Sequence, residues 1–276
     1  MFERLPAKIS SVLVRAVFKL PGTIRVEDGF YEGTADFYSS IFSSNKDDDI
    51  DMYRKFARVA GSPVLDAACG DGRIMLPLMR DGNTVFGFDS SASLIEYCGE
   101  KIAEEYPGET PVSCICRASL IHLPFKKHFR LAIIPYNSFN HLLSEKDQRL
   151  CLEGIRSILK NDGMLIMEVL PYHHYYETSL RLRKRGELLK NKSRITAYSR
   201  ITQNLPGKSH TVYWYIFIKN PEGRVKRITS YFTRLDIPLK QLRQLVTSSG
   251  FAIQEIKYSY SDEKDLNKRI VIARKV

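Results

Sequence analysis

No apolar run in this 276-residue chain approaches the length needed to span a bilayer, about 20 consecutive residues. The N-terminus also lacks a continuous apolar segment followed by a small-residue cleavage site, so no secretory signal is expected. Cysteine is sparse and odd in number: Cys69, Cys98, Cys114, Cys116 and Cys151. There is no C-x-x-C pair and no histidine at ligand spacing beside them, which argues against structural zinc. Buried free thiols in a reducing, cytoplasmic setting are the expectation. Internal repeats and low-complexity tracts are absent as well.

What is present is the composition of a folded globular protein, with 43% hydrophobic and 26% charged residues. The length suits one large domain, or one domain with an insertion. Lys and Arg number 42 against 31 Asp and Glu, a net charge of +11 that favours association with polyanions without naming one. Much of the excess lies in RLRKRGELLKNKSR, Arg181 to Arg194, where Glu187 is the sole acid. A solvated helix face is the plain reading of that run; an anionic substrate, a partner or RNA is the sharper one.

Near the N-terminus Ile9, Val12, Leu13, Ala16, Val17 and Leu20 recur at helical spacing, with Lys8, Arg15 and Lys19 off the stripe and Pro21-Gly22 as a stop. A helix packed on the body or on a partner subunit is expected, with a transit peptide or membrane-surface helix as alternatives. From residue 62 strands and helices alternate. SPVLDAAC, TVFGFDS, PVSCICRAS, FRLAIIPYNS and MLIMEVLP read as strands. RIMLPLMRDG, ASLIEYCGEKIAEEY and SEKDQRLCLEGIRSILKNDG read as helices, the last with Ser144 as N-cap and Gly163 beyond its end. Nearly continuous apolar strands in that alternation imply a parallel sheet covered on both faces. RITAYSRITQNL, HTVYWYIFIKN and RVKRITSYFTRLD then read as an antiparallel meander in which Trp214 packs, and PLKQLRQLVTSSG, FAIQEIKYSYS and KRIVIARKV as a helix and two closing strands.

The segment that carries chemistry is VLDAACGDGRI, Val64 to Ile74. An apolar strand runs into Cys69-Gly70-Asp71-Gly72 and then into a helix, so the backbone can turn sharply and approach a ligand. Seventeen residues beyond Gly72 the next strand ends at Asp89, whose carboxylate can accept both hydroxyls of a ribose. A G-x-G-x-x-G spacing is missing, because the third position is Met75, and no G-K-[ST] follows. The turn therefore suits a nucleoside without a pyrophosphate.

Residues 62 to 171 resemble the core of class I S-adenosylmethionine-dependent methyltransferases. DAACGDG resembles the first motif and GFDSSASLI the second; HLPF, Phe129 to Tyr136 and LKNDGMLIMEV resemble the later landmarks. The resemblance implies S-adenosylmethionine as methyl donor and S-adenosylhomocysteine as product. Asp66, Ala67, Ala68, Cys69, Gly70 and Gly72 would hold the methionine half, Asp89 with Ser90 the ribose, and Tyr136 the methyl-facing edge. Ala68 stands where the family has its first glycine. Ser119 replaces the usual acid facing the adenine, a contact that would pass to the Leu120 backbone.

On the acceptor side, Pro135-Tyr136-Asn137-Ser138-Phe139-Asn140-His141 is similar to small-molecule N-methyltransferases of the amino-sugar and glycine type. That implies Asn137 and Asn140 as substrate contacts and His141 as base or orienting group, with a structural histidine as the alternative. Tyr31 and Tyr38 precede the core, and similar enzymes close an N-terminal tyrosine over the site; simple packing of two aromatics is the alternative. Tyr172 and His173 follow the fifth strand and are candidate pocket residues. His173, His174 and Glu177 are not expected to hold a metal, since adjacent histidines on a helix diverge.

These readings give a Rossmann-like α/β fold with a seven-stranded methyltransferase sheet and an inserted β meander. The expected divisions are an N-terminal segment at 1–45, a cofactor core at 46–171, an insertion at 172–236 capping the acceptor or forming a dimer, and a closing part at 237–276. The expected function is methyl transfer to nitrogen or oxygen of a small polar metabolite, an anionic or natural-product intermediate being one class of it. An RNA or protein methyltransferase using the basic run is the first alternative, although no N-P-P-Y-type tetrapeptide is present. A catalytically silent cofactor-binding regulator is the second.

Overall fold

The computed structural model describes residues 23–25, 39, 48–107, 115–126, 128–170, 182–190, 192–204, 209–260 and 268–276. The expectations for residues 9–20 and for Tyr31, Tyr38, Tyr172, His173 and Cys114 lie outside them. The chain divides into two units, residues 1–33 with 174–234 and residues 34–173 with 235–276.

The larger unit holds a seven-stranded sheet. In chain order its strands are β2 (Val64–Ala67), β3 (Val85–Asp89), β4 (Ile115–Arg117), β5 (Phe129–Ile134), β6 (Leu159–Glu168), β11 (Phe251–Lys257) and β12 (Ile270–Lys275), arranged β11-β12-β6-β5-β2-β3-β4. Strand β2 pairs in parallel with both β3 and β5, and β12 runs antiparallel to its neighbours β6 and β11. From β2 the chain steps outward through β3 and β4, then returns to β5 on the other side. That reversal opens a crevice beyond the carboxyl ends of β2, β3 and β5, where open α/β sheets bind ligands.

Strand parity sorts the side chains onto two faces. Leu65, Ala67, Ala132, Ile134, Leu165 and Met167 pack with α4 (Glu145–Ile158) and α5 (Leu239–Ser248) through Leu152, Ile155, Leu242 and Leu245. Val64, Leu131, Ile133, Met164 and Ile166 pack instead with α1 (Asp48–Ala60), α2 (Met75–Arg80) and α3 (Ala92–Glu105) through Tyr53, Ala57, Met75, Leu78 and Cys98. Asp66 and Glu168 have the parity of Val64 and Ile166, so two carboxylates enter the α1 face at the strand ends.

Two local readings are corrected. The helix from Ser144 stops at Ile158, because Leu159 turns extended and is buried at once in the sheet opposite Phe129. Helix α1 goes beyond the sequence expectations; its buried Tyr53 and Ala57 sit at i, i+4. Cys69, Cys98 and Cys151 are buried free thiols, and Cys116 is a half-buried one.

The smaller unit is a second sheet of β1 (Thr23–Arg25), β7 (Arg183–Lys190), β8 (Ser193–Asn204), β9 (Ser209–Lys219) and β10 (Val225–Leu235), in the order β1-β10-β9-β8-β7. Strands β7 to β10 form an antiparallel sheet, and β1 adds in parallel to β10. Here the basic run departs from the helix-face reading. Arg183 to Lys190 form an edge strand whose bulge between Lys184 and Gly186 keeps the cations exposed while Leu188 pairs with Ile195. Sheet pairing overrides the helical propensity of that run. Among the described residues no helix is long and apolar enough to cross a membrane.

Candidate functional site

The turn after β2 is shaped by backbone that ordinary side chains resist. Ala68, Gly70 and Gly72 all have positive φ, at 61°, 56° and 81°. At Gly72 any Cβ would lie 2.7 Å from the Cys98 sulfur, so both conformation and space demand glycine. Ala68 shows why the missing first glycine is tolerated: its half-exposed Cβ bears a left-handed φ, at a cost of about 1 kcal/mol.

Asp89 ties this turn to the end of β3. Its carboxylate accepts from the Gly70 amide at 3.0 Å and the Ser91 amide at 2.9 Å, one on each oxygen. Asp71, although buried, pairs with Lys101 at 3.1 Å and so anchors the turn to α3. Ala118 donates to the Asp89 carbonyl at 3.0 Å, which brings Ser119 and Leu120 beside the end of β3. Leu120 packs on the core, while Ser90 is exposed and its carbonyl accepts from Arg117.

Asp66 is in a different state. It is 0% exposed, and neither carboxylate oxygen has a hydrogen-bond partner among the described residues. Burial pushes its carboxyl up to about 7, against the positive charge of Arg73 and the nearby Met75 amide. Beside it the fully buried Tyr53 hydroxyl also lacks a partner. Burial and the charges of Glu168, Asp49 and Asp66 hold that phenol well above its usual range.

A frame of paired groups surrounds these two. Arg73 binds Asp49 of α1 with both terminal guanidinium nitrogens, at 2.7 and 2.6 Å, and its guanidinium carbon lies 5.9 Å from the centre of the Tyr136 ring. Glu168 accepts from the Tyr136 amide at 3.2 Å and from the Tyr260 hydroxyl. Burial raises the Glu168 carboxyl, and burial with the Glu168 charge raises Tyr260. Asp49, Tyr53, Arg73, Glu168 and Tyr260 were all missed by sequence reasoning. Glu168 carried a usable signal, since it ends an apolar strand as Asp89 does.

Beyond β5 the chain bends through two successive left-handed residues, Tyr136 at φ 53° and Asn137 at φ 61°. The Asn137 side-chain oxygen is buried without a hydrogen-bond partner among the described residues, so it is a candidate ligand contact. Asn140, expected as a substrate contact, has its side chain engaged with the backbone. It is 0% exposed; its amide nitrogen donates to the Leu235 carbonyl at 2.6 Å, and its oxygen accepts from the Leu170 amide at 2.8 Å. Those bonds fasten the chain after β6 and before α5 to the short 3-10 turn Ser138–His141. His141 ends that turn, half-buried.

Comparison with known proteins bears on this geometry. Residues 64–163 match the family described as a methyltransferase domain. A provisionally named methyltransferase of Geobacillus sp. (strain WCH70) is 24% identical over 214 residues, 76% of this chain and 82% of its own length. The glycine/sarcosine N-methyltransferase of Aphanothece halophytica is 33% identical over 109 residues, which is 40% of each chain. Among solved structures, the sugar N-methyltransferase KedS8 from Streptoalloteichus sp. superposes with a TM-score of 0.73 at 12% identity, covering 87% of this chain and 92% of its own. At that identity the likeness is one of fold.

Proposed function

We propose that this chain, a class I S-adenosylmethionine-dependent methyltransferase, methylates a nitrogen or oxygen of a small polar metabolite. The observation that carries the reading is the unpartnered Asp66 carboxylate beside a glycine turn, with Asp89 ending the next strand. A buried anion without a hydrogen-bond donor among the described residues fits the ammonium of the methionine half, and an acid ending the next strand fits ribose hydroxyls. The backbone of Ala67, Ala68, Cys69, Gly70 and Gly72 would lie along the methionine half. Ser119 and Leu120 would lie toward the adenine. When bound, S-adenosylmethionine supplies an electrophilic methyl group on a positively charged sulfur, open to in-line displacement by an acceptor lone pair.

The protein's work is then orientation and exclusion of water. Arg73, fixed by Asp49, and Tyr136, fixed by Glu168, set the wall between β2 and β5. Asn137 faces the acceptor, and His141 takes a proton from an acceptor nitrogen that arrives charged. The small-molecule class is supported by the fold shared with a sugar N-methyltransferase and by the sequence shared with a glycine/sarcosine N-methyltransferase.

Isothermal calorimetry with S-adenosylhomocysteine tests the donor site; absence of binding overturns it. Turnover of methyl-labelled S-adenosylmethionine with fractionated metabolites tests the acceptor class, the labelled product's mass identifying it. His141→Ala should lower the rate roughly 100-fold at neutral pH. The loss should shrink as pH rises past the acceptor's own pKa, with product-cofactor affinity unchanged.

A further inference from the structure

The strongest feature that methyl transfer leaves unused is the charge on one end of the smaller sheet. The β7–β8 turn at Lys192 and the β9–β10 turn at 220–224 emerge at the same end, because Lys190 pairs with Ser193 and Arg194 with Lys219. These turns and the adjoining strand ends carry Lys190, Lys192, Arg194, Lys219, Arg224 and Lys226. The opposing acids are Glu187 and Glu222. Glu187 is shared between Lys184 and Arg194, at 3.4 Å from the latter.

Protection of a sheet edge does not explain this. Lysines on an edge strand do discourage pairing with another chain, and that accounts for Arg183, Lys184 and Arg185 on β7. Arg194 and Lys219, however, stand on the interior strands β8 and β9. They form a cross-strand row with Leu189, so the three side chains share one face. Leu189 is 76% exposed, and Val225, between Arg224 and Lys226, is 41% exposed. Two bare aliphatic side chains within a ring of cations describe a surface that meets charge and hydrocarbon together.

We infer that this end of the sheet, with Arg194, Lys219, Lys192 and Arg224 as charge contacts and Leu189 and Val225 as apolar contacts, docks on an anionic phospholipid surface. Clusters of four to eight Lys or Arg bind acidic headgroups, and exposed aliphatic groups beside them enter the acyl boundary. Single-stranded RNA would call for exposed aromatic rings on which bases stack, and Leu and Val do not supply that. A second copy of the same end would meet it with like charge.

Co-sedimentation of the full chain with vesicles tests the inference, using phosphatidylcholine alone and phosphatidylcholine mixed with phosphatidylserine. Binding is expected on the mixed vesicles only and should weaken steeply with salt. Arg194→Glu with Lys219→Glu should weaken it roughly tenfold or more. Leu189→Ser with Val225→Ser should weaken it while the salt dependence persists. Lys192→Glu with Arg224→Glu, confined to the turns, repeats the charge test should the strand variant misfold; unchanged binding of S-adenosylhomocysteine certifies a folded core. Equal binding to neutral vesicles, or full binding by both charge variants, overturns the assignment. So does loss of binding only when residues 1–20 are deleted. Tighter binding to single-stranded RNA that ignores the Leu189 and Val225 changes overturns it in favour of a nucleic acid.

Discussion

At the end of β2, buried polar groups stand with open valences: among the described residues the Asp66 carboxylate and the Tyr53 hydroxyl have no hydrogen-bond partner. Just past β5 the pattern inverts. Asn140 uses both ends of its amide on the backbone, and the Tyr136 amide is spent on Glu168. An unsatisfied buried carboxylate costs stability, so the donor side holds a standing penalty that a cationic ligand relieves. The segment after β5 is instead a rigid mount with few open groups, among them Asn137. The first side is built to receive a fixed ligand; the second aims side chains whose identity varies with the acceptor.

The largest expected effect falls on the donor side. Asp89→Ala should weaken S-adenosylhomocysteine binding by two to three orders of magnitude in calorimetry, because it removes a charge-assisted acceptor and also frees the Gly70 and Ser91 amides that shape the turn. Undiminished affinity would erase the distinction between the two sides. Asn140→Ala should do the converse. With the Leu170 amide and the Leu235 carbonyl left buried and unpaired, urea unfolding should show a loss of about 2–3 kcal/mol. Product-cofactor affinity should stay within about twofold once the protein is folded, since no donor-side group is touched. A large loss of affinity there would make Asn140 a ligand contact after all.

What could be read from the chain follows the range of the interactions involved. The strand–turn–helix at Val64 to Ile74 and the acid at Asp89 are local patterns, and the strand rhythm implied a parallel sheet, whose seven strands followed from the family resemblance. The backbone bonds of Asn140 were not legible, because its partners at Leu170 and Leu235 are 30 and 95 residues away. No local pattern signals that. The basic run at Arg183 to Lys190 has good helix formers, yet its state is fixed by pairing with β8 across the turn. Tyr53 and Asp49 gain meaning only when α1 lies against the Asp66 side of the sheet.

The subtlest comparison lies within the donor side, between Asp66 as an anion and Asp66 as a neutral acid. Its ordinary value of 3.8 rises to about 7 in the folded protein, so between those values the native state holds a proton that the unfolded chain has released. The stability this group contributes is therefore full below about pH 4, declines as pH rises to about 7, and is flat above. Asp66→Asn should abolish that slope and should not lower the melting temperature at pH 8, since it removes a buried charge without a partner. The same change should weaken S-adenosylhomocysteine binding about tenfold at pH 8, because the ammonium loses its anion. Wild-type affinity should fall several-fold from pH 8 to pH 6 as the carboxyl protonates, with proton release on binding near pH 7, while the Asn variant stays level. A wild-type affinity that does not change across that range would mean Asp66 does not face the ammonium. The unpartnered carboxylate would then be a cost of the fold with no ligand to relieve it.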